Sequence, residues 1–157
     1  MPADRPPPDA AHPAEIAVLR DLAARYAAGA DRRDGALFAS AFVPDGRLRV
    51  FDPADAAEPR SERVGRAALA EVPALLDRYD HTFHLLGQAR YDLDHAGDAA
   101  TGEVYCLAHH RRGGPPASTL VMHIRYRDRY RRADGRWGIA DRQVLVDWTE
   151  TRGEAGA

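Results

Sequence analysis

The stretch LVMHIRYRDRYRR, residues 120–132, alternates with a period of two. Leu120, Met122, Ile124, Tyr126, Asp128 and Tyr130 fall on one side of an extended chain. His123, Arg125, Arg127, Arg129 and Arg131 fall on the other. That period belongs to a β-strand with one face toward a core and one toward solvent or a partner. Ala133-Asp134-Gly135 then reads as a tight turn into a last strand, Arg136 to Trp148. Working upstream, Gly113-Gly114-Pro115-Pro116 is a turn, preceded by a strand over Ala99 to Arg112. A further turn over Asp94 to Asp98 is preceded by a long strand, His81 to Leu93, with a kink expected at Gly87. Four long strands joined by short turns make an antiparallel meander.

Before residue 81 the period is helical. Ile16, Leu19, Ala23 and Tyr26 form one stripe of a helix predicted over Ala14 to Ala28, after which Gly29 loosens the chain. Asp34 can cap a second short helix through Phe42. Pro44-Asp45-Gly46 signals a turn, Arg47 to Phe51 a strand, and Asp52 to Arg63 a loop or weak strand pair. Gly65 leads a third helix, which Pro73 should break or restart. Helices first and a meander last is the order of an α+β domain with helices on one face of the sheet. The expected architecture is a cone-shaped α+β barrel: a strongly curved sheet, about three N-terminal helices and a pocket inside. The domain is expected over residues 14–150, between a loose arm (1–13) and a flexible tail (151–157).

The bulk properties remove several function classes. The formal charge is −2 with a pI near 6.4, so no basic excess points to nucleic acid or an anionic membrane. No run of apolar residues suits a membrane span, and residues 1–13 lack the order of a signal peptide. A single cysteine, Cys106, excludes an internal disulfide framework and reads as a small buried filler in a strand. A cytoplasmic setting is the expectation.

The motifs "FVPDG", "HTFHLLG", "GEVYCLAHH" and "YRDRYRRADGRWGIADR", in that order, resemble the SnoaL-like branch of the nuclear transport factor 2-like superfamily from about Glu15 to Trp148. Within it the chain is most similar to the scytalone dehydratase and bile acid 7α-dehydratase group. The resemblance implies cofactor-free elimination of water from a carbonyl-bearing ring. By register it places Tyr26 and Asp31 at the end of the first helix, His84 on the first long strand and His109 on the next. One active-site Tyr of that group would fall near Val50 or Phe51, which carry no hydroxyl, and an Asn near Tyr126, so a different substrate is implied.

The residues themselves suit this chemistry. A His beside a carboxylate has its tautomer fixed and its charged form supported, as a proton-transfer group near neutral pH requires. The expected catalytic set is Asp31, His84, His109 and Tyr26: Asp31 orients His109, His109 moves the proton, and Tyr26 with His84 holds an enolate. His110 points to the opposite face from His109, and the two exchange roles if the face assignment is reversed. Tyr126, Phe51, His110 and Trp137 are expected to contact substrate. No metal is expected, because neighbouring strand histidines diverge, and no cofactor is expected. The expected activity is a lyase or isomerase acting on a hydrophobic cyclic ketone or polyketide-like molecule. The alternatives are a binding or assembly module of the same fold, a polyketide cyclase, or an epoxide hydrolase using Asp128 and Arg142. Self-association as a dimer or trimer through the Arg-bearing outer sheet face is also expected.

Overall fold

Pro13 opens the first helix, α1 (Pro13–Arg32), where its missing N–H is one the helix end would leave unpaired anyway. The structure, a computed structural model, describes residues 12–94 and 96–153; the expected arm before residue 12 and the last four residues of the tail lie outside them. Ile16, Leu19, Leu22, Ala23, Tyr26 and Ala30 recur at helical spacing and are buried. Gly29 does not loosen the helix. It stays helical because a short second helix, α2 (Gly35–Ser40), crosses directly over it. A Cβ at Gly29 would stand 2.5 Å from the Phe38 backbone nitrogen, so only glycine permits this approach. Between the helices the chain reverses at Arg33, in the left-handed region at φ 58°. Asp34 then caps α2, its carboxylate accepting the Leu37 N–H at 2.9 Å.

The first strand, β1 (Phe42–Phe51), begins five residues earlier than its expected start at Arg47. Pro44-Asp45-Gly46 is an irregularity inside β1, not a turn ending it; the pairing register shifts between Phe42 and Arg47. A short β2 (Ser61–Val64) pairs antiparallel with β1. Helix α3 (Arg66–Ala70) is followed by a 3₁₀ turn (Pro73–Leu76), restarted at Pro73 as the sequence pattern required. Four long strands complete the chain: β3 (His81–Leu93), β4 (Ala99–Arg112), β5 (Ser118–Ala133) and β6 (Arg136–Gly153). The β3–β4 register shifts between Leu86 and Ala89, around Gly87. β6 does not end at Trp148. It runs to Gly153 because β5, starting at Ser118, still offers a partner there.

The six strands form one curved, unclosed sheet in the order β2-β1-β6-β5-β4-β3. All neighbours are antiparallel except β1 and β6, which run parallel. The helices cover one face: Tyr26, Phe38 and Leu69 share a buried cluster with Val104, Ile124 and Tyr126. The fold is therefore α+β, as the sequence order indicated. Among the described residues no helix is long and apolar enough to cross a membrane. The outer face carries ion pairs, such as Arg125 with both oxygens of Asp147 at 2.7 Å. It also leaves Phe83, Leu85, Tyr105 and Trp148 exposed.

At the centre lies a fully buried ion pair. Arg142 donates from Nε to Asp128 Oδ1 at 2.8 Å and from Nη2 to Oδ2 at 2.7 Å. The Tyr130 hydroxyl donates to the same Oδ2 at 2.6 Å. Both side chains have 0 % exposure. The guanidinium stands 4.3 Å from the ring centroids of both Tyr26 and Tyr126. Removing one partner of a buried pair strands the other charge in low dielectric. Asp128→Ala should therefore cost about 3–5 kcal/mol in urea unfolding, whereas Asp147→Ala on the outer face should cost under about 1 kcal/mol. Equal losses would show that the central pair does not hold the core.

Candidate active site

The concave face of the sheet and the helices enclose a cavity of about 500 Å³. Its wall is largely apolar, with Leu48, Val50, Leu120, Met122 and Val144 among the lining side chains. Side chains able to exchange or donate a proton also reach it, among them Tyr26, His84, His110 and Tyr126. Asp31 lies directly behind His84. Its Oδ1 is 2.6 Å from His84 Nδ1, and its Oδ2 accepts the His84 backbone N–H at 2.9 Å. A carboxylate fixed twice to one residue holds the ring in a single orientation. With Nδ1 donating to Asp31, neutral His84 presents an unprotonated Nε2, the form a general base needs.

The structure thus gives Asp31 a different imidazole from the expected one. His109 is not in the cavity. It pairs in register with Phe83, on the same face as the exposed Leu85 and Tyr105. His110 pairs with Thr82 and shares the inner face with His84, Ala108 and Cys106. The two residues exchange places because strand side chains alternate and both faces of β4 are partly apolar. Period alone therefore could not choose between them. The missing signal was the hairpin register: Arg112 pairs with Ser118, which puts His110 opposite Leu120 on the inward face of β5. The His84 and His110 rings are 5.5 Å apart, and Tyr79 covers His110 from the other side at 4.7 Å.

Tyr26 and Tyr126 reach the cavity as expected, but Phe51 and Trp137 do not. On β1 it is Val50 that lines the cavity; Phe51 faces the opposite side beneath the Arg49 guanidinium. Trp137 packs at the start of α1, its indole N–H donating to Glu15 and its ring beneath Arg132 at 4.8 Å. Arg33 was missed altogether. Its guanidinium donates to Ala30 O at 2.9 Å, Thr82 Oγ1 at 2.7 Å and Leu76 O at 2.9 Å. One side chain thereby ties α1, the 3₁₀ turn and β3 together beside Asp31. Nothing in its sequence surroundings marked it out from the 21 other arginines.

The electrostatics separate the two imidazoles. Burial lowers the proton affinity of His110, helped by the nearby His84 and Arg78, and brings its pKa down to about 4. It is therefore neutral at physiological pH, with Nε2 buried and unpaired among the described residues. Partial burial pushes the Asp31 carboxyl upward, but bonds from the His84 ring, the His84 backbone and Thr82 outweigh this and hold it below the usual carboxylate range. Burial keeps the Tyr26 and Tyr126 phenols protonated, so they can only donate or accept hydrogen bonds near neutral pH. The Cys106 thiol, 3 % exposed, is pushed up to about 11 by burial and is no nucleophile. Among the described residues no three His, Cys, Asp or Glu side chains converge as metal ligands.

A one-sided α+β cone with a His–Asp pair on an apolar cavity defines a recognisable class of small domain. Residues 13–143 match the SnoaL-like domain family, and the chain belongs to it, within the nuclear transport factor 2-like superfamily. Among solved structures it is similar to a Mycobacterium tuberculosis protein of unknown function, at 29% identity and TM-score 0.69, over 85% of this chain and 72% of that one. A type 2 hexachlorocyclohexane dehydrochlorinase aligns at 18% identity and TM-score 0.74, over 95% of both chains. A candidate scytalone dehydratase from Novosphingobium aromaticivorans aligns at 19% identity and TM-score 0.70, over 91% of this chain and 89% of that one. At such identities the last two establish the fold. No curated protein shows a significant sequence match.

The depressed His110 pKa has a consequence for stability. Between its ordinary value of 6.5 and its folded value of about 4, the unfolded chain takes up a proton that the folded chain refuses. Stability from this group is complete above pH 6.5 and is lost as the pH falls toward 4, by at most about 3 kcal/mol. Asp31 acts in a lower window: its contribution is present above the ordinary carboxylate value of 3.8 and fades as the pH drops through its lower folded value. Urea unfolding across pH 4 to 7 should show the first loss in the wild type and a flatter profile in His110→Gln. Identical profiles would show that His110 is not held neutral.

Proposed function

We propose that this protein is a cofactor-free lyase that eliminates a small leaving group from a hydrophobic cyclic carbonyl compound. The observation that carries the reading is the 2.6 Å contact between Asp31 and His84 on the wall of a largely apolar cavity. His84 Nε2 removes the proton on the carbon next to the carbonyl. The C–H electron pair moves into an enolate whose oxygen accepts hydrogen bonds from Tyr26 or Tyr126; one such preorganised donor supplies roughly 3 kcal/mol. The enolate re-forms the carbonyl and its electrons make the new C=C bond as the neighbouring C–O bond breaks. The departing oxygen leaves as water with the proton that His84 took. Asp31 stabilises the His84 imidazolium that exists between the two transfers.

His110 is a weak base in this scheme, since burial suppresses its proton affinity. Its part is that of a neutral ring, directing a nitrogen toward the carbonyl or the leaving hydroxyl. Dehydrochlorination and dehydration, the activities after which two fold relatives are named, both remove H and a neighbouring group from adjacent carbons. They support elimination as the reaction type and leave the leaving group open. A substrate with no leaving group would be isomerised, or cyclised by aldol addition, through the same enolate.

A suitable probe is 3-hydroxy-1-tetralone, a β-hydroxy cyclic ketone whose dehydration gives fluorescent 1-naphthol. Wild-type protein should accelerate naphthol release. His84→Gln and Asp31→Asn should each lose about a hundredfold or more, while His109→Gln, on the outer face, should keep nearly the full rate. A His84→Gln variant as fast as wild type would refute the base assignment.

A further inference from the structure

We propose that the cavity mouth reads a carboxylate on the substrate through Arg78. This rests on the reading of the cavity as a substrate site, and it names what that substrate carries. The arginines around the cavity differ in what they already hold. Arg60 is tied to Asp52 at 2.9 Å. Arg33 is committed to Thr82 and main-chain carbonyls, with Asp77 at 3.3 Å from its Nε. Arg78 lines the cavity and is exposed, with no carboxylate partner among the described residues. The acids next to it in sequence are engaged elsewhere: Asp77 faces Arg33, and Asp80 accepts the Gly113 N–H.

The Arg78 guanidinium is nevertheless not a free-swinging surface charge. It lies 5.1 Å over the Tyr79 ring, which Arg112 shares at 5.1 Å. Contact with the ring face leaves the N–H edges of the guanidinium available to meet a carboxylate with two parallel hydrogen bonds. Tyr79 in turn touches His110 at 4.7 Å, so the cation stands one aromatic ring away from the proton-transfer groups. Its charge is felt there, adding to burial and to His84 in keeping His110 neutral. The ligand that fits is amphipathic: a cyclic carbonyl body among Leu48, Val50 and Met122, and a carboxylate on the side remote from the bond that breaks.

The test uses 2-naphthoate and its neutral near-isostere 2-naphthamide, with the ring signals of His84 and His110 in NMR titrations reporting cavity occupancy. At low salt the wild type should bind naphthoate about five- to tenfold more tightly than naphthamide. Arg78→Gln should weaken naphthoate alone and erase most of that preference. Arg78→Lys, which keeps the charge without the fork, should restore part of it, and Arg112→Gln should leave most of it in place. Equal affinities in the wild type, an equal loss of both probes in Arg78→Gln, or failure of both probes to shift either ring would overturn the proposal. The result is separable from the lyase reading. A naphthoate preference that depends on Arg78, beside equal naphthol release by wild type and His84→Gln, would remove the chemistry and keep the carboxylate site.

Discussion

The guanidinium of Arg33 is where the helices and the sheet are made to agree. The residue pays for a left-handed backbone, φ 58°, which a side chain other than glycine rarely adopts. That conformation ends α1 and turns the side chain back across the gap to β3. There it meets Thr82 and the carbonyls of Ala30 and Leu76, charge-assisted bonds of 2.7–2.9 Å. Asp31 lies two residues before this clamp and His84 two residues after Thr82. With both ends held, the carboxylate and the imidazole meet at 2.6 Å without either having to search for the other. Preorganisation of this kind is worth more to a proton transfer than added flexibility, because a misplaced base loses rate steeply.

The same logic explains which parts of the molecule could be read from its sequence. The long strands were legible because apolar residues alternate with His and Arg along β5 from Met122 to Arg127, and the turns before and after it carry Gly, Pro and Asp. Tyr26 was legible as the last member of a helical stripe. What failed was everything that depends on pairing between elements. The choice between His109 and His110 turns on the β4–β5 register, which is a property of two strands and a loop together. Gly29 looked like a helix breaker from local propensity, yet it serves the crossing of α2 at Phe38. Pro44-Asp45-Gly46 carried a turn signal that the parallel pairing of β1 with β6 overrode. Arg33 acts through four distant backbone and side-chain partners, none of them visible in its own neighbourhood.

The buried Arg142 bears on the competing reading of the site as an epoxide hydrolase. A carboxylate that activates water needs a free lone pair facing the substrate. Asp128 is fully buried and does not line this cavity, and three of its four acceptor sites are taken: one oxygen accepts Arg142 Nε, and the other accepts both Arg142 Nη2 and the Tyr130 hydroxyl. The pair is roofed by the rings of Tyr26 and Tyr126, so it supports the cavity floor from below and does not open into it. Its role is to place two phenols, whose burial keeps them protonated.

A binding module would have little use for the remaining polar groups. Sequestering an imidazole with an unpaired nitrogen costs about 1–3 kcal/mol, and Leu or Phe at position 110 would line a passive cavity better. The His84–Asp31 pair adds a second ordered polar group to a largely apolar wall. Two imidazoles 5.5 Å apart cannot both hold a proton cheaply in such surroundings. The arrangement settles the competition in advance: the carboxylate stands behind His84, and His110 is left without one. In the proposed elimination, a proton taken from the substrate goes to His84, and His110 stays neutral beside it. That asymmetry suits the proposed elimination, and it comes from the contrast between the two environments.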